Sequence, residues 1–256
     1  MTRLTTITAL LISFAAFGQD SLNTKVNSES KRLQFGLSIS PDYCYRTLKN
    51  NDGSTNASAI IDIRDANETY KIGYSAGVNM CYTISKKLGI ELGIQYSNKG
   101  YAQKRTELTF GDLIDPRYGT VYTSSSSAVP ANFKLRYNHI YLDVPLRAIF
   151  CFGEKKIHFL ASVGLAANFL LKATQTLILQ DENGDTKRET SNQPYNFNTF
   201  NISPTFSIGV DYIISRKINL QVEPTFRYGL LKFIDAPVTG YLWNAGLNFT
   251  CYYTLK

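Results

Sequence analysis

Six charged residues stand out by where they fall. Glu91, Asp143, Arg147, Asp211, Glu223 and Arg227 each lie on the polar side of a stretch in which apolar and polar residues alternate. Charges held among apolar neighbours persist only when they are paired, because an isolated one costs several kcal/mol even after relaxation. These residues therefore point to an interior network of ion pairs and hydrogen bonds. Counted along their strands from the nearest short turns, Arg147, Glu223, Glu91 and Asp211 lie low. Asp143 and Arg227 lie higher and are expected to pair with each other. The competing use of the same groups is a proton or solute path.

Other chemistry finds less support. The chain holds two histidines. His139 falls on the inward parity near the far end of its strand, and His158 reads as a packed polar residue beside a short turn. A Ser-His-acid site needs all three groups within hydrogen-bond reach. Loop serines such as Ser124–Ser127 could supply one member, but no motif fixes any of them, so no catalytic residue is assigned. Asp181–Asp185 (DENGD) lacks the regular ligand spacing of a calcium loop and reads as a solvated hairpin tip. The four cysteines, Cys44, Cys81, Cys151 and Cys251, show no C-x-x-C spacing. Free thiols are expected, with a Cys81–Cys151 disulfide as the minor alternative. No phosphate-cradling glycine loop is present. The expected metal and cofactor sites are none.

The elements that carry these residues are strands. From His139 to Phe152, Ile140, Leu142, Val144, Leu146, Ala148, Phe150 and Phe152 share one parity, and Ile149 is the one apolar residue on the other after Ile140. After the turn GEKK, Ile157, Phe159, Ala161, Val163, Leu165, Ala167, Phe169 and Leu171 share a face. A period of two places successive side chains on opposite sides of a pleat, and both runs exceed the ~9–11 residues that a tilted strand needs to cross a bilayer. Similar alternation predicts strands over 33–40, 72–84, 88–97, 202–214, 218–230 and 241–250. Three connections are short (Ser85–Lys87, 153–156, Ser215–Lys217). Four are longer: a polar loop over 46–70, another over 102–134, a third over 172–200 containing the hairpin signal Asn183-Gly184, and a brief one near 231–240.

The alternation must close on itself, since lipid leaves no water for unpaired strand edges. An eight-stranded tube is barely wide enough to be filled by side chains. The bulky Leu, Ile, Phe and Tyr parity cannot fit inside it and would be a large apolar patch in water. It belongs against lipid, with the small, Gly- and Ser-rich parity inside. The fold class expected is all-β: an eight-stranded antiparallel up-and-down transmembrane β-barrel with short periplasmic turns and longer extracellular loops. Export agrees: residues 1–18 read as a signal peptide with Arg3 ahead of an apolar core and Ala16-Phe17-Gly18 as the cleavage site. Residues 19–32 read as a disordered lead-in, and 33–256 as the barrel. The net charge of +7 is spread over turns such as Lys86-Lys87, Lys155-Lys156 and Arg216-Lys217. It forms no basic stripe, so nucleic acid is not an expected partner.

Three segments carry a family resemblance: Gly89–Gly100 (GIELGIQYSNKG), Tyr141–Leu146 (YLDVPL) and Val222–Gly229 (VEPTFRYG). With them the chain resembles the PorT-family outer membrane β-barrel domain of Gram-negative bacteria over most of residues 33–255. The resemblance implies a cell outer membrane location and a role tied to protein secretion, since some relatives are linked to it. It supplies no catalytic residues. The function expected is that of a small non-enzymatic barrel with a plugged polar interior, serving as scaffold or accessory in secretion or surface assembly. Its partners would be outer-membrane lipids and proteins of that assembly. The alternatives are a surface-binding or adhesion barrel acting through its extracellular loops and, behind it, a lipid-modifying barrel enzyme.

Overall fold

In a computed structural model of the chain, residues 33–85, 87–104, 106–107, 130–153, 156–181, 184–193 and 196–255 are described. The N-terminal readings, for residues 1–32, and Ser124–Ser127 lie outside them. The strands are β1 (Leu33–Asn50), β2 (Glu68–Thr69), β3 (Lys71–Ser85), β4 (Leu88–Gln103), β5 (Thr106–Glu107), β6 (Pro130–Phe152), β7 (Ile157–Asp181), β8 (Thr186–Asn192), β9 (Phe200–Ile213), β10 (Ile218–Tyr228) and β11 (Val238–Thr254), with one helix, α1 (Thr55–Asn67). Each of the eight long strands pairs antiparallel with two neighbours, in the order β1-β3-β4-β6-β7-β9-β10-β11. The ring closes where β11 pairs back onto β1, from Gln34↔Thr254 to Asn50↔Val238. No edge remains among these eight across the membrane band, as a lipid environment demands.

Alternation decides the faces. Ile208 is 69% exposed, Leu37 68% and Phe159 66%, while Glu91 and Glu223 are fully buried. The outer wall carries an aromatic belt near the long-loop end, where Tyr43 stacks on Tyr70 at 4.4 Å and lies 5.9 Å from Trp243, and Phe169 meets Phe200 at 5.4 Å. Such rings are at home where apolar core meets headgroups. The three short turns link β3 to β4, β6 to β7 and β9 to β10 at one end, where both termini of the ring also lie. Gly153 opens the second of them at φ +121°, a conformation that disfavours a side chain.

The strands run beyond the limits expected from the sequence. β1 continues through Pro41 to Asn50, and β6 and β7 reach 23 and 25 residues. The region 46–70 is not a plain loop. It contains α1, capped by the Ser54 hydroxyl, which accepts from the Ala57 N–H at 3.1 Å. The helix was illegible because its apolar residues form no marked stripe. A β-bulge at Leu171, opposite Ile140 and Tyr141, shifts the register between β6 and β7. Beyond it β7 folds back on β8, with Gly184 at φ +89° in the hairpin tip.

Candidate functional site

The polar interior is the candidate site, and it is built in two levels. At the short-turn end, Glu91 on β4 stands directly opposite Arg147 on β6. The guanidinium grips that carboxylate with two bonds, Nε to Oε1 at 2.8 Å and Nη2 to Oε2 at 2.9 Å. Its Nη1 crosses the lumen to Glu223 Oε2 on β10 at 2.8 Å and also donates to Ser162 at 3.3 Å. The Tyr252 hydroxyl donates to Glu91 from β11. One planar cation thus ties four strands together, a task suited to the fork of Arg and not to the point charge of Lys. Asp211 sits below, accepting from Asn219 Nδ2 at 2.6 Å, with His158 Nδ1 3.8 Å away.

At the upper level Asp143 and Arg227 do not pair. Asp143 accepts from Lys99 Nζ at 2.8 Å, Ser97 at 2.7 Å and Asn168 at 2.6 Å. Arg227 faces Asp42 at 3.5 Å, and Asp42 is bonded in turn by Ser40, Ser75 and Asn244. The expectation failed because it lacked Asp42 and Lys99, which sit in the strand extensions. With β1 ended at Ser40 and β4 at Ser97, neither residue counted as interior. Following the parity past Pro41 would have found Asp42, Cys44 and Arg46 inside and Tyr43 outside. Lys71, at the first position of β3, was missed likewise. It donates to Asn98 Oδ1, Asn138 Oδ1 and the Lys99 carbonyl.

Glycine makes room for these side chains. Gly164 lies opposite Arg147, Gly77 opposite Gln95, Gly246 opposite Asp42, Gly36 opposite Tyr252 and Gly93 opposite Asn79. A Cβ at Gly164 would collide with the Leu146 carbonyl oxygen and come within 2.8 Å of Arg147 Cγ; one at Gly77 would meet Gln95 Cγ at 2.8 Å. Large and small residues thus alternate around the tube, which keeps a narrow interior filled without overlap.

The long-loop end is closed by rings. The loop between β10 and β11 turns inward and buries Phe233 against Tyr101, Tyr141 and Leu242. His139 lies beneath, 5.2 Å from the Phe233 ring and 5.0 Å from that of Phe197, with no hydrogen-bond partner among the described residues on either nitrogen. The loop is pinned by Asn201, which accepts from the Leu231 N–H at 3.0 Å and donates to its carbonyl at 2.8 Å. Helix α1 docks at the same rim. Asp65 and Glu68 both accept from Arg46, and Arg64 reaches Glu68 at 2.7 Å. Burial pulls the Arg64 guanidinium down, but the Glu68 carboxylate together with Tyr101 and Tyr137 holds it above its ordinary value. The four cysteines are free thiols; Cys81 packs with Ile149, Leu160 and Tyr252, and Cys151 rests against that cluster.

The outer membrane protein beta-barrel domain family model matches residues 17–235. The chain belongs to that family. It is an outer-membrane β-barrel, and β11, which closes the ring, lies wholly beyond the matched segment. Among solved structures, Neisserial surface protein A is similar at 12% identity, covering 87% of this chain and 97% of its own, with a TM-score of 0.39. The outer membrane protein OprG from Pseudomonas aeruginosa has 10% identity, coverage of 88% and 97%, and a TM-score of 0.38. The outer membrane protease OmpT from Escherichia coli has 8% identity, coverage of 92% and 99%, and a TM-score of 0.37. No curated protein matches the chain.

Proposed function

We propose that this barrel is a non-enzymatic scaffold or accessory protein of a secretion or surface assembly, of the kind its PorT-like motifs suggest. Residues 1–18 would serve as its export signal and 19–32 as a lead-in. The observation that carries this reading is the filled interior. The Arg147 tie spans the lumen at one level and the Phe233 plug covers the other, which favours an anchoring role over conduction. His139 also lacks the company that hydrolysis would need, since no serine or carboxylate among the described residues is bonded to it. What is left to act is the surface beyond the membrane, where β6 and β7 rise above the ring and β8 offers a polar outer edge.

Cross-linking in intact cells, followed by mild detergent extraction, tests the proposal. Stoichiometric recovery of the same envelope proteins is expected. Single-channel conductance in planar bilayers, or turnover of lipid or peptide substrates by the pure protein, would contradict it. The raised β7–β8 hairpin and the exposed Ile60 and Ile63 of α1 favour surface binding as the second reading. If deleting residues 182–192 abolishes attachment to a surface ligand while the cross-linked partners persist, that second reading takes precedence.

A further inference from the structure

Among the described residues, the short-turn end of the interior holds a cavity where Phe233 covers the opposite end. That cavity, of about 220 Å³, is lined among others by Asp211, Asn219, Gln221, His158, Cys81 and Arg216. In outer-membrane barrels this end faces the periplasm.

The amide donors of Asn219 and Gln34 at the cavity are already engaged. Asn219 Nδ2 donates to Asp211, and Gln34 Nε2 donates to Asn219 Oδ1 at 3.3 Å and to Thr254 at 3.1 Å. Two acceptors have no partner among the described residues: Gln221 Oε1 on the cavity wall and, two residues further along β10, Glu223 Oε1. Gln221 is 4% exposed, on the cavity wall, and Glu223 is fully buried. Formal charge points the same way. In this half of the tube Glu91, Glu223 and Asp211 face one buried cation, Arg147. His158 stands 3.8 Å from Asp211. Arg216 lies with Lys87, Lys156 and Lys217 in exposed turns at the mouth, where salt screens their charge.

A surplus of buried acceptors and of negative charge calls for a cation that also donates hydrogen bonds. The described residues gather no group of three His, Cys, Asp or Glu that could hold a metal ion, and calcium would need six to eight oxygens. An ammonium group brings three donors and one charge. We infer that the vestibule binds the primary ammonium group of a periplasmic ligand, with Asp211 as its counter-ion and Gln221 Oε1 as a second acceptor. This inference uses the barrel's orientation and is independent of the scaffold proposal.

The test uses the full-length mature protein in lipid nanodiscs, with asparagine and glutamine side-chain amides observed by NMR. Methylammonium is expected to shift the Gln221 and Asn219 signals saturably. Tetramethylammonium, which carries the charge without N–H donors, is expected to bind roughly tenfold more weakly or worse, as is methylammonium to Asp211→Asn, since a bond to a charged group is lost in each case. Gln221→Glu is expected to tighten binding several-fold and remains decisive if Asp211→Asn fails to fold. A blocked Ala-Lys-Ala peptide that competes with methylammonium would assign the ligand to a peptide lysine; failure of the peptide with retention of methylammonium would assign it to a small free amine. No saturable shift, an equal response to tetramethylammonium or sodium, or binding indifferent to both substitutions would overturn the inference.

Discussion

The two ends of the interior are filled by different means. The lower end is held by one guanidinium between two carboxylates, all on strands of the wall, reaching across the tube. The upper end gives each carboxylate a cation of its own, Lys99 for Asp143 and Arg227 for Asp42, with several neutral donors beside it, and is finished by a loop that lays Phe233 over His139. The first arrangement cannot open without breaking the ring; the second can open by moving a loop. Wall-borne charge networks therefore fix the barrel, and loop-borne packing closes it while leaving room for change.

The comparison breaks most sharply at Arg147. Arg147→Met leaves two buried carboxylates without their cation and is expected to cost about 3–5 kcal/mol, read from urea titration of the protein folded into lipid vesicles. Adding Glu91→Gln and Glu223→Gln should recover much of that loss, because the penalty lies in the orphaned charges. Next comes Gly164→Ala, which forces a methyl group against the Leu146 carbonyl and the Arg147 stem. A loss of roughly 1–3 kcal/mol is expected by the same titration.

At the upper level Lys99→Met should cost less, on the order of 1–2 kcal/mol, because Asp143 keeps its bonds from Ser97 and Asn168. Phe233→Ala sharpens the contrast. The global midpoint should change little, while amide exchange over residues 229–240 rises, as expected for a local opening separate from unfolding of the ring. Smallest of all, Lys187→Ala removes an ion pair on the exposed β8 and should leave the midpoint where it was.

The ring itself was legible in the sequence, because a period of two over eight stretches is a strong signal and volume decides which side faces lipid. Ile149 shows the precision available: its departure from parity marked an interior apolar residue, and it packs with Cys81 and Leu160. Strand ends were harder to read. Pro41 broke the pattern by type but sits within β1, so Asp42 was lost to the interior list and Arg227 was given the wrong partner. The glycine partners of the large interior residues were visible as alternation, but cross-strand register is needed to see that each faces a bulky side chain. Phe233 was hidden for a different reason. Nothing in a short loop sequence tells a ring that folds back into the tube from one left in solvent.

The central claim is the assignment of the two faces, and spin labels test it most directly. Single labels at 159, 208 and 220, and separately at 162 and 207, would be placed in a cysteine-free background in bilayers, with collisions against oxygen and a water-soluble nickel complex measured. Labels at the first three sites should collide freely with oxygen and rarely with nickel; those at the other two should be immobile and shielded from both. Nickel-accessible labels at 159 and 208, with oxygen-accessible ones at 162 and 207, would contradict the account.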